Sequence, residues 1–264
     1  MKLYRFIYIL ILAICVASCI PNKDLVYLQK GQEKKDFIEV NQFQSKPYRV
    51  QINDILSISI KALDQRLVEM FNPSTMGGQV QQTPQALYFN GFTVDDHGKI
   101  NIPVLGNLNV LGYTVEEIKL EVEKRLLDEY FKSEARLFVN VKLAGLRYTI
   151  NGEIGSPGTN VLFQDKVSIM EAIANSGDIT ITGNRKEVQV IRKLPQGFET
   201  HYVDLTSSEA FESPVFYIQP NDYIYIKPLK QKSWGTGTTG IQTIGTIITA
   251  LSLITTTILL TRNL

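Results

Sequence analysis

The chain reads as an α+β protein: two soluble mixed units followed by an amphipathic C-terminal α-helix, and three observations carry that reading. Short alternating apolar and polar runs, bounded by Gly, Asn, Asp and Pro, recur from Tyr48 to Leu229, the signature of short strands joined by tight turns. Two phrases, Thr114-Val115-Glu116-Glu117 and Ser168-Ile169-Met170-Glu171, have the capping-box spacing that opens a helix. From Ile241 to Leu260 the chain carries no charge over 20 residues, which as a helix would extend about 30 Å, the depth of a hydrocarbon layer.

The N-terminal stretch has a basic start (Lys2, Arg5), an apolar run from Phe6 to Val16, and small residues Ala17 and Ser18 before Cys19, the layout of a cleaved secretory signal. Residues 1–18 are therefore expected to be a signal peptide. The phrase Val16-Ala17-Ser18-Cys19 resembles a bacterial lipobox, which implies a diacylglycerol on the Cys19 thiol, cleavage before it, and a further acyl chain on the freed amine. The plainer alternatives are an ordinary signal peptide, or a transmembrane anchor with a chance cysteine. Two or more acyl chains hold a protein stably at a bilayer where one does so only marginally.

Of the two cysteines, Cys15 lies in the leader, so the expected mature chain has no partner for an internal disulfide and depends on core packing. Roughly 245 residues would remain, enough for one large or two modest domains, and an apolar fraction of 44% suffices to fill their cores. Loss of Lys2 and Arg5 takes the formal charge from +1 to −1, which offers no bulk electrostatic attraction for nucleic acid.

Residues 19–47 are polar and mixed in charge and are expected to form a lipidated tether. A turn at Asn53-Asp54 should sit between two strand-like runs. Residues 72–86 are rich in Gly, Pro and Gln and read as a loop. Further strands then alternate with turns at Asp96-His97-Gly98, Leu105-Gly106 and Leu111-Gly112. The first capping box should start a helix reaching about Tyr130, with Val115, Ile118, Val122 and Leu126 inward. A strand in ARLFVNVKLAG closes a mixed unit at 48–144.

The second unit, 145–229, opens on RYTINGEI, turns at Gly155-Ser156-Pro157-Gly158, and carries a short helix to about Asn175 that ends near Gly177. Strands KEVQVIRKL and THYVDL follow, then YIQPNDYIYIKPL. Asn221-Asp222-Tyr223-Ile224 there echoes Asn53-Asp54-Ile55-Leu56, a shared turn-into-strand device.

Residues 230–240, KQKSWGTGTTG, read as a Gly-rich joint in which Trp234, with Lys230 and Lys232, has the character of an interfacial anchor. On a helical wheel over 241–264, expected as a C-terminal transmembrane helix, Ile241, Ile244, Ile247, Ile248, Leu251, Ile254, Ile258 and Leu259 share one half and are expected to face lipid. Gln242, Gly245, Thr246, Thr249, Thr256 and Thr257 gather on the other, expected to face a pore or a neighbouring helix. Arg262 can snorkel to headgroups as a second interfacial anchor. Two other readings stay open: a plain tail anchor whose Thr hydroxyls bond back to their own backbone, and a strand.

No chemistry is legible. The two histidines, His97 and His201, form no ligand pair, and HExxH, GxSxG and P-loop phrases are absent, so neither enzyme, metal site nor soluble cofactor is expected, only the lipid on Cys19. Glu116, Glu117, Glu121 and Glu123 lie beside Lys119, Lys124 and Arg125 and read as a solvated helix face. Tyr88, Phe89 and Phe92 are either sugar-stacking aromatics or strand core.

The phrase VDDHGKINIPVLGNLNVLGYTVEEIKLEVEKRL resembles the polysaccharide export domain: a Gly-containing hairpin, a Pro, a Leu-Gly, a Gly-x-Thr, then a helix. INGEIGSPGTNVLFQDKVSIMEAIANSGDIT, with VQVIRK and PNDYIYI, is similar to the soluble-ligand-binding β-grasp module that follows it. The order of lipobox, export domain, β-grasp module and terminal helix resembles the bacterial outer-membrane polysaccharide export lipoproteins, the Wza-type translocons. The resemblance implies a lipid-anchored outer-membrane protein with its soluble domains in the periplasm. It implies a homo-oligomeric ring, expected to have eight copies, that carries a capsular or exopolysaccharide, and an inner-membrane polysaccharide co-polymerase or tyrosine kinase as partner. The alternative is a tail-anchored carbohydrate-binding or envelope-scaffold lipoprotein without a pore. Two features depart from the family pattern: there is room for one β-grasp module, and the usual Gly is replaced in Ile52-Asn53-Asp54, Pro220-Asn221-Asp222 and Gly177-Asp178. Asn tolerates the left-handed backbone that Gly supplies there.

Overall fold

The computed structural model describes residues 20–29, 47–72, 88–131, 136–194, 196–233 and 240–262. Two separate hydrophobic cores organise them, one drawn from residues 50–141 and one from residues 146–226.

In the first core, strand β1 (Ile55–Ala62) alternates strictly, Leu56, Ile58 and Ile60 inward and Ser57 and Ser59 outward, so one face can be buried. It lies between β2 (Phe92–Thr93) and β5 (Leu137–Leu143), both antiparallel to it, with Ile58 opposite Val141 and Ile60 opposite Val139. The hairpin of β3 (Lys99–Ile102) and β4 (Gly106–Asn109) is closed at its base by a polar turn. There Asp95 Oδ1 accepts from the His97 and Lys99 amides at 2.9 and 2.8 Å, and Gly98 takes φ +75°. His97 is thus a turn residue.

Helix α1 (Val115–Glu129) covers this sheet through Ile118, Val122 and Leu126, each fully buried and one turn apart. Its capping box is complete: Glu117 N donates to Thr114 Oγ1 at 3.2 Å, and Thr114 N donates to Glu117 Oε2 at 2.8 Å. Lys119 pairs with Glu116 and Arg125 with Glu121 along the outer face, as the carboxylate-rich pattern requires. Of the three aromatics singled out from the sequence, Phe92 is core, whereas Tyr88 and Phe89 are exposed. The run before Asn53 is not a strand, although Val50 exchanges backbone hydrogen bonds with Gly112 and Tyr113.

The second core is a five-stranded sheet in the order β10-β9-β12-β6-β7. Its strands are β6 (Leu146–Gly152), β7 (Gly158–Leu162), β9 (Gly183–Leu194), β10 (Gly197–Val203) and β12 (Tyr223–Pro228), all antiparallel to their neighbours except β12 beside β6. A small ribbon pairs β8 (Val167–Ser168) with β11 (Tyr217–Ile218). Helix α2 (Ile169–Asn175) covers one face of the large sheet. The Tyr148 hydroxyl, fully buried beneath it, donates to Ala172 O at 2.9 Å. The second capping box is also complete, with Ser168 N to Glu171 Oε2 at 2.7 Å and Glu171 N to Ser168 Oγ at 3.2 Å. At the end of β6, Gly152 has φ +94°, and a Cβ there would stand 2.1 Å from the Ile226 carbonyl oxygen, so this close approach admits only glycine.

Part of the segment expected as a tether is docked. A 3-10 turn at Asn22–Asp24 leads to Tyr27 and Leu28, which pack on the second core, and Gln29 bridges to Ser207. Leu28 N donates to Leu205 O at 3.0 Å, and the Tyr27 hydroxyl donates to Asp178. The buried Arg185 guanidinium lies 5.2 Å from the Tyr27 ring centroid, and Lys186 pairs with Asp24 at 2.5 Å.

The terminal element, α3, is a helix over Gly240–Arg262, so the strand alternative is set aside. Seven threonines, Ser252 and Gln242 dilute its isoleucines and leucines. Among the described residues no helix is long and apolar enough to cross a membrane, and the expected transmembrane character of 241–264 is not supported.

Cutting a large side chain out of a core leaves a cavity that the surroundings only partly fill. Leu126→Ala should therefore cost about 2–5 kcal/mol in urea unfolding followed by circular dichroism.

Candidate functional site: the junction of the units and the terminal helix

The two Asn-Asp phrases fold identically and meet. In each, a Gln opens a β-turn whose third residue is an Asn at positive φ, +72° at Asn53 and +66° at Asn221. Each turn closes through the backbone, Asp54 N to Gln51 O at 3.2 Å and Asp222 N to Gln219 O at 3.1 Å. In each the aspartate then reaches back to the Gln amide at 2.8 Å. Asp178, in the third place where the family's usual glycine is replaced, also has positive φ, +64°.

Asn221 Nδ2 donates to Asp54 Oδ1 at 3.2 Å, tying the second unit's turn to the first unit's. Tyr48 donates its hydroxyl to Asp54 Oδ2 at 2.6 Å, and Gln51 Nε2 reaches Lys193 O at 3.3 Å across the same boundary. Burial drives the Asp54 carboxyl above its ordinary value of 3.8, against the hydrogen bonds from Tyr48, Gln51 and Asn221 and the charge of Lys193, which oppose the rise. Burial also raises the Tyr48 phenol, with the Asp54 charge adding to the effect.

Directly behind, Asp222 is completely buried and held by Arg192 through two bonds, Nε to Oδ1 at 3.0 Å and Nη2 to Oδ2 at 2.7 Å. Arg192 Nη2 also donates to Tyr217 O at 3.3 Å. Removing one member of such a buried pair strands the other and costs about 3–5 kcal/mol. The pairing fixes the turn that presents Asn221.

At the other end of the second unit, Glu153 accepts from Thr180 at 2.9 Å, from Thr182 at 2.6 Å, and from Lys232. Burial would raise this carboxyl, but the hydrogen bonds from Lys232, Thr182 and Thr180 hold it below its usual range. Lys232, expected as part of an interfacial anchor, is instead ion-paired to the soluble unit, within a helical turn at Lys230–Ser233.

In α3 the expected pore-facing residues Thr249, Thr256 and Thr257 are exposed, and each donates to its own backbone. The acceptors are Gly245 O at 2.8 Å, Ser252 O at 2.7 Å and Leu253 O at 2.8 Å. Thr246 is exposed too. Among the expected lipid-facing residues, Ile248 and Ile254 are exposed while Ile247 and Leu251 are half-buried. Gln242, Ile244, Ile258 and Arg262 belong to the helix backbone, and their side chains lie outside the described residues, as do Cys19 and Trp234 altogether. No metal-binding group of His, Cys, Asp and Glu occurs among the described residues.

The raised Asp54 means the folded chain holds that proton more tightly than the unfolded chain. Its contribution to stability is greatest below 3.8 and declines as pH rises through the folded value. Asn221→Ala removes a donor to the carboxylate and should push Asp54 higher still in a carboxyl-carbon NMR titration; a value that stays put would mean the junction does not form in solution.

A family model described as "Polysaccharide biosynthesis/export protein" matches residues 42–143, which include the whole first core. The chain is 26% identical over 174 residues to "EPS I polysaccharide export outer membrane protein EpsA" of Ralstonia solanacearum, covering 64% of this chain and 46% of that one. The protein of the same name from Ralstonia nicotianae is 23% identical over 155 residues, covering 55% and 39%. The chain thus spans less than half the length of these curated relatives. Residues 42–143, whose hairpin, Leu-Gly turn and capped helix are in place, thus match the polysaccharide export family model.

Proposed function

We propose that this protein takes part in moving an exopolysaccharide or capsular polysaccharide across the outer membrane, as a non-catalytic, lipid-anchored component with its soluble units in the periplasm. The observation that carries the reading is the export-domain match at 42–143, joined through Asp54 and Asn221 to a second unit of its own. The names of the Ralstonia relatives, both outer-membrane exporters of a polysaccharide, support the compartment and the cargo class.

Several copies would associate into a ring, with an octamer as the expected size. A helix as rich in threonine as α3 is poorly suited to standing alone in lipid. Association through its Thr249, Thr256 and Gly245 side would leave the Ile248 and Ile254 side outward. The polymer would be handed over by an inner-membrane co-polymerase or tyrosine kinase. Cys19 would carry the lipid that holds each copy in place.

One observation favours the alternative of a pore-free tail-anchored carbohydrate binder or scaffold. The hydroxyls of Thr249, Thr256 and Thr257 are satisfied within their own helix and do not require a neighbour. Images and mass of detergent-extracted particles separate the two, since a conduit demands a closed ring and a strictly monomeric particle refutes it.

Two outcomes are expected in cells. Replacing Thr249 and Thr256 together by Leu should reduce exported polymer, measured as extracellular polysaccharide, while the protein stays in the membrane fraction; undiminished export would remove α3 from the path. Cys19→Ala should leave the protein out of the outer-membrane fraction on density gradients.

A further inference from the structure

The five-stranded sheet has two unlike faces. Val188, Val190, Ile224 and Ile226 are buried on the α2 side. The opposite side, on which Tyr202 and Asn151 are exposed and Gln189, Tyr223 and Tyr225 are half-buried, is rich in tyrosine, amides and hydroxyls.

Strand register orders this face. Tyr202 on β10 stands opposite Gln189 on β9, Gln189 opposite Tyr225 on β12, and Tyr225 opposite Asn151 on β6, one continuous cross-strand row. A parallel row two residues along places Thr200, Ile191, Tyr223 and Thr149 side by side. With strands about 4.8 Å apart, the Tyr202 and Tyr225 backbones are roughly 9.6 Å apart, with the Gln189 amide between them. Lys227 lies above the row, its Nζ 5.0 Å from the Tyr202 ring centroid and 2.7 Å from Glu187 Oε1.

Much of this polar surface is unspent. The Gln189 side-chain amide and the phenol oxygens of Tyr202 and Tyr225 make no hydrogen bond among the described residues, and Tyr202 is 57% exposed. Asn151, by contrast, is oriented from inside, donating to the Tyr223 hydroxyl at 3.3 Å and accepting from Gly152 N at 2.8 Å.

We propose that this open face is a glycan-binding platform: Tyr202 and Tyr225 stack on successive sugar rings of an extended saccharide chain, and the Gln189 amide and the Lys227–Glu187 pair bind its hydroxyls. The inference rests on the export role proposed above and names where the polymer touches the chain. A pyranose ring offers a flat C–H face, which an aromatic ring accepts, and an edge of hydroxyls, each both donor and acceptor. An amide offers the same duality, and an ammonium beside a carboxylate can donate to one of two vicinal hydroxyls and accept from the other. The core of a protein interface is depleted of charge, and burying Lys227, Glu187 and an unpaired Gln189 under a second copy would require a matched partner for each. A hydrated saccharide supplies those partners without drying the site.

The test uses the full chain in mild detergent and, as probe, the extracellular polysaccharide purified from the strain that makes this protein, embedded in a native gel. The wild-type band should be retarded. Tyr202→Ala and Tyr225→Ala should each weaken binding roughly tenfold, and the pair together about a hundredfold. Tyr225→Phe, which keeps the ring, should retain most of it. Gln189→Ala, a change that breaks no internal hydrogen bond, should weaken binding several-fold and guards against a folding artefact. Variants that bind like wild type overturn the proposal, as does a wild-type band that runs unretarded. So do tyrosine variants that lower the oligomer mass in sedimentation while binding is unchanged, because the face is then a contact between copies. Normal polymer export by a strain lacking the protein sinks the export role, whereas export that depends on a non-binding wild type sinks the platform alone.

Discussion

The buried carboxylates of Asp54 and Asp222 are the constraint from which the rest of the arrangement follows. Each stabilises a turn in its own unit by accepting the amide of the Gln three residues earlier, and each turn starts the strand on which its unit is built. The second carboxylate is neutralised by Arg192 within its own unit. Among the described residues the first has no such cation in contact and depends on neutral donors, one of which, Asn221, belongs to the other unit. Separating the units would therefore leave the more weakly served of the two carboxylates to find water. The contact is short-range and directional, so it sets orientation more than it supplies binding energy.

Much of each unit is legible in the chain because the signals are local. The alternation in Ile55–Ala62 and the spacing of Ile118, Val122 and Leu126 declare which sides go inward. Both capping boxes lie within four residues, and both close as the spacing demands. The left-handed Asn53 and Asn221 are legible because each stands where the resembled turns carry Gly, and Asn tolerates the same backbone.

What escaped is non-local. Asn221 and Asp54 are 167 residues apart, and nothing in either phrase says that the two touch. Arg192 reads as one more charge at a strand end, yet it is buried against Asp222 in the turn that precedes β12. Tyr27 and Leu28 look like stray apolar residues in a polar segment because the groove that receives them is formed by residues 178–205. The alternation of Tyr223 and Tyr225 with Ile224 and Ile226 is visible in the sequence. That Gln189 and Tyr202 share their row depends on strand order, which alternation does not encode. For α3 the wheel sorts the residues into two halves, but a wheel counts faces and ignores that a threonine can satisfy its hydroxyl one turn back.

The docked segment 20–29 and the Lys232–Glu153 ion pair share a consequence for mechanics. Chain on both flanks leaves from the second unit, whose β9 and β6 regions grip Asp24, Tyr27 and Lys232. A pull on either flank is therefore borne by that unit's sheet, and the first unit, held to it at the Asp54 turn, stands outside the path of the load.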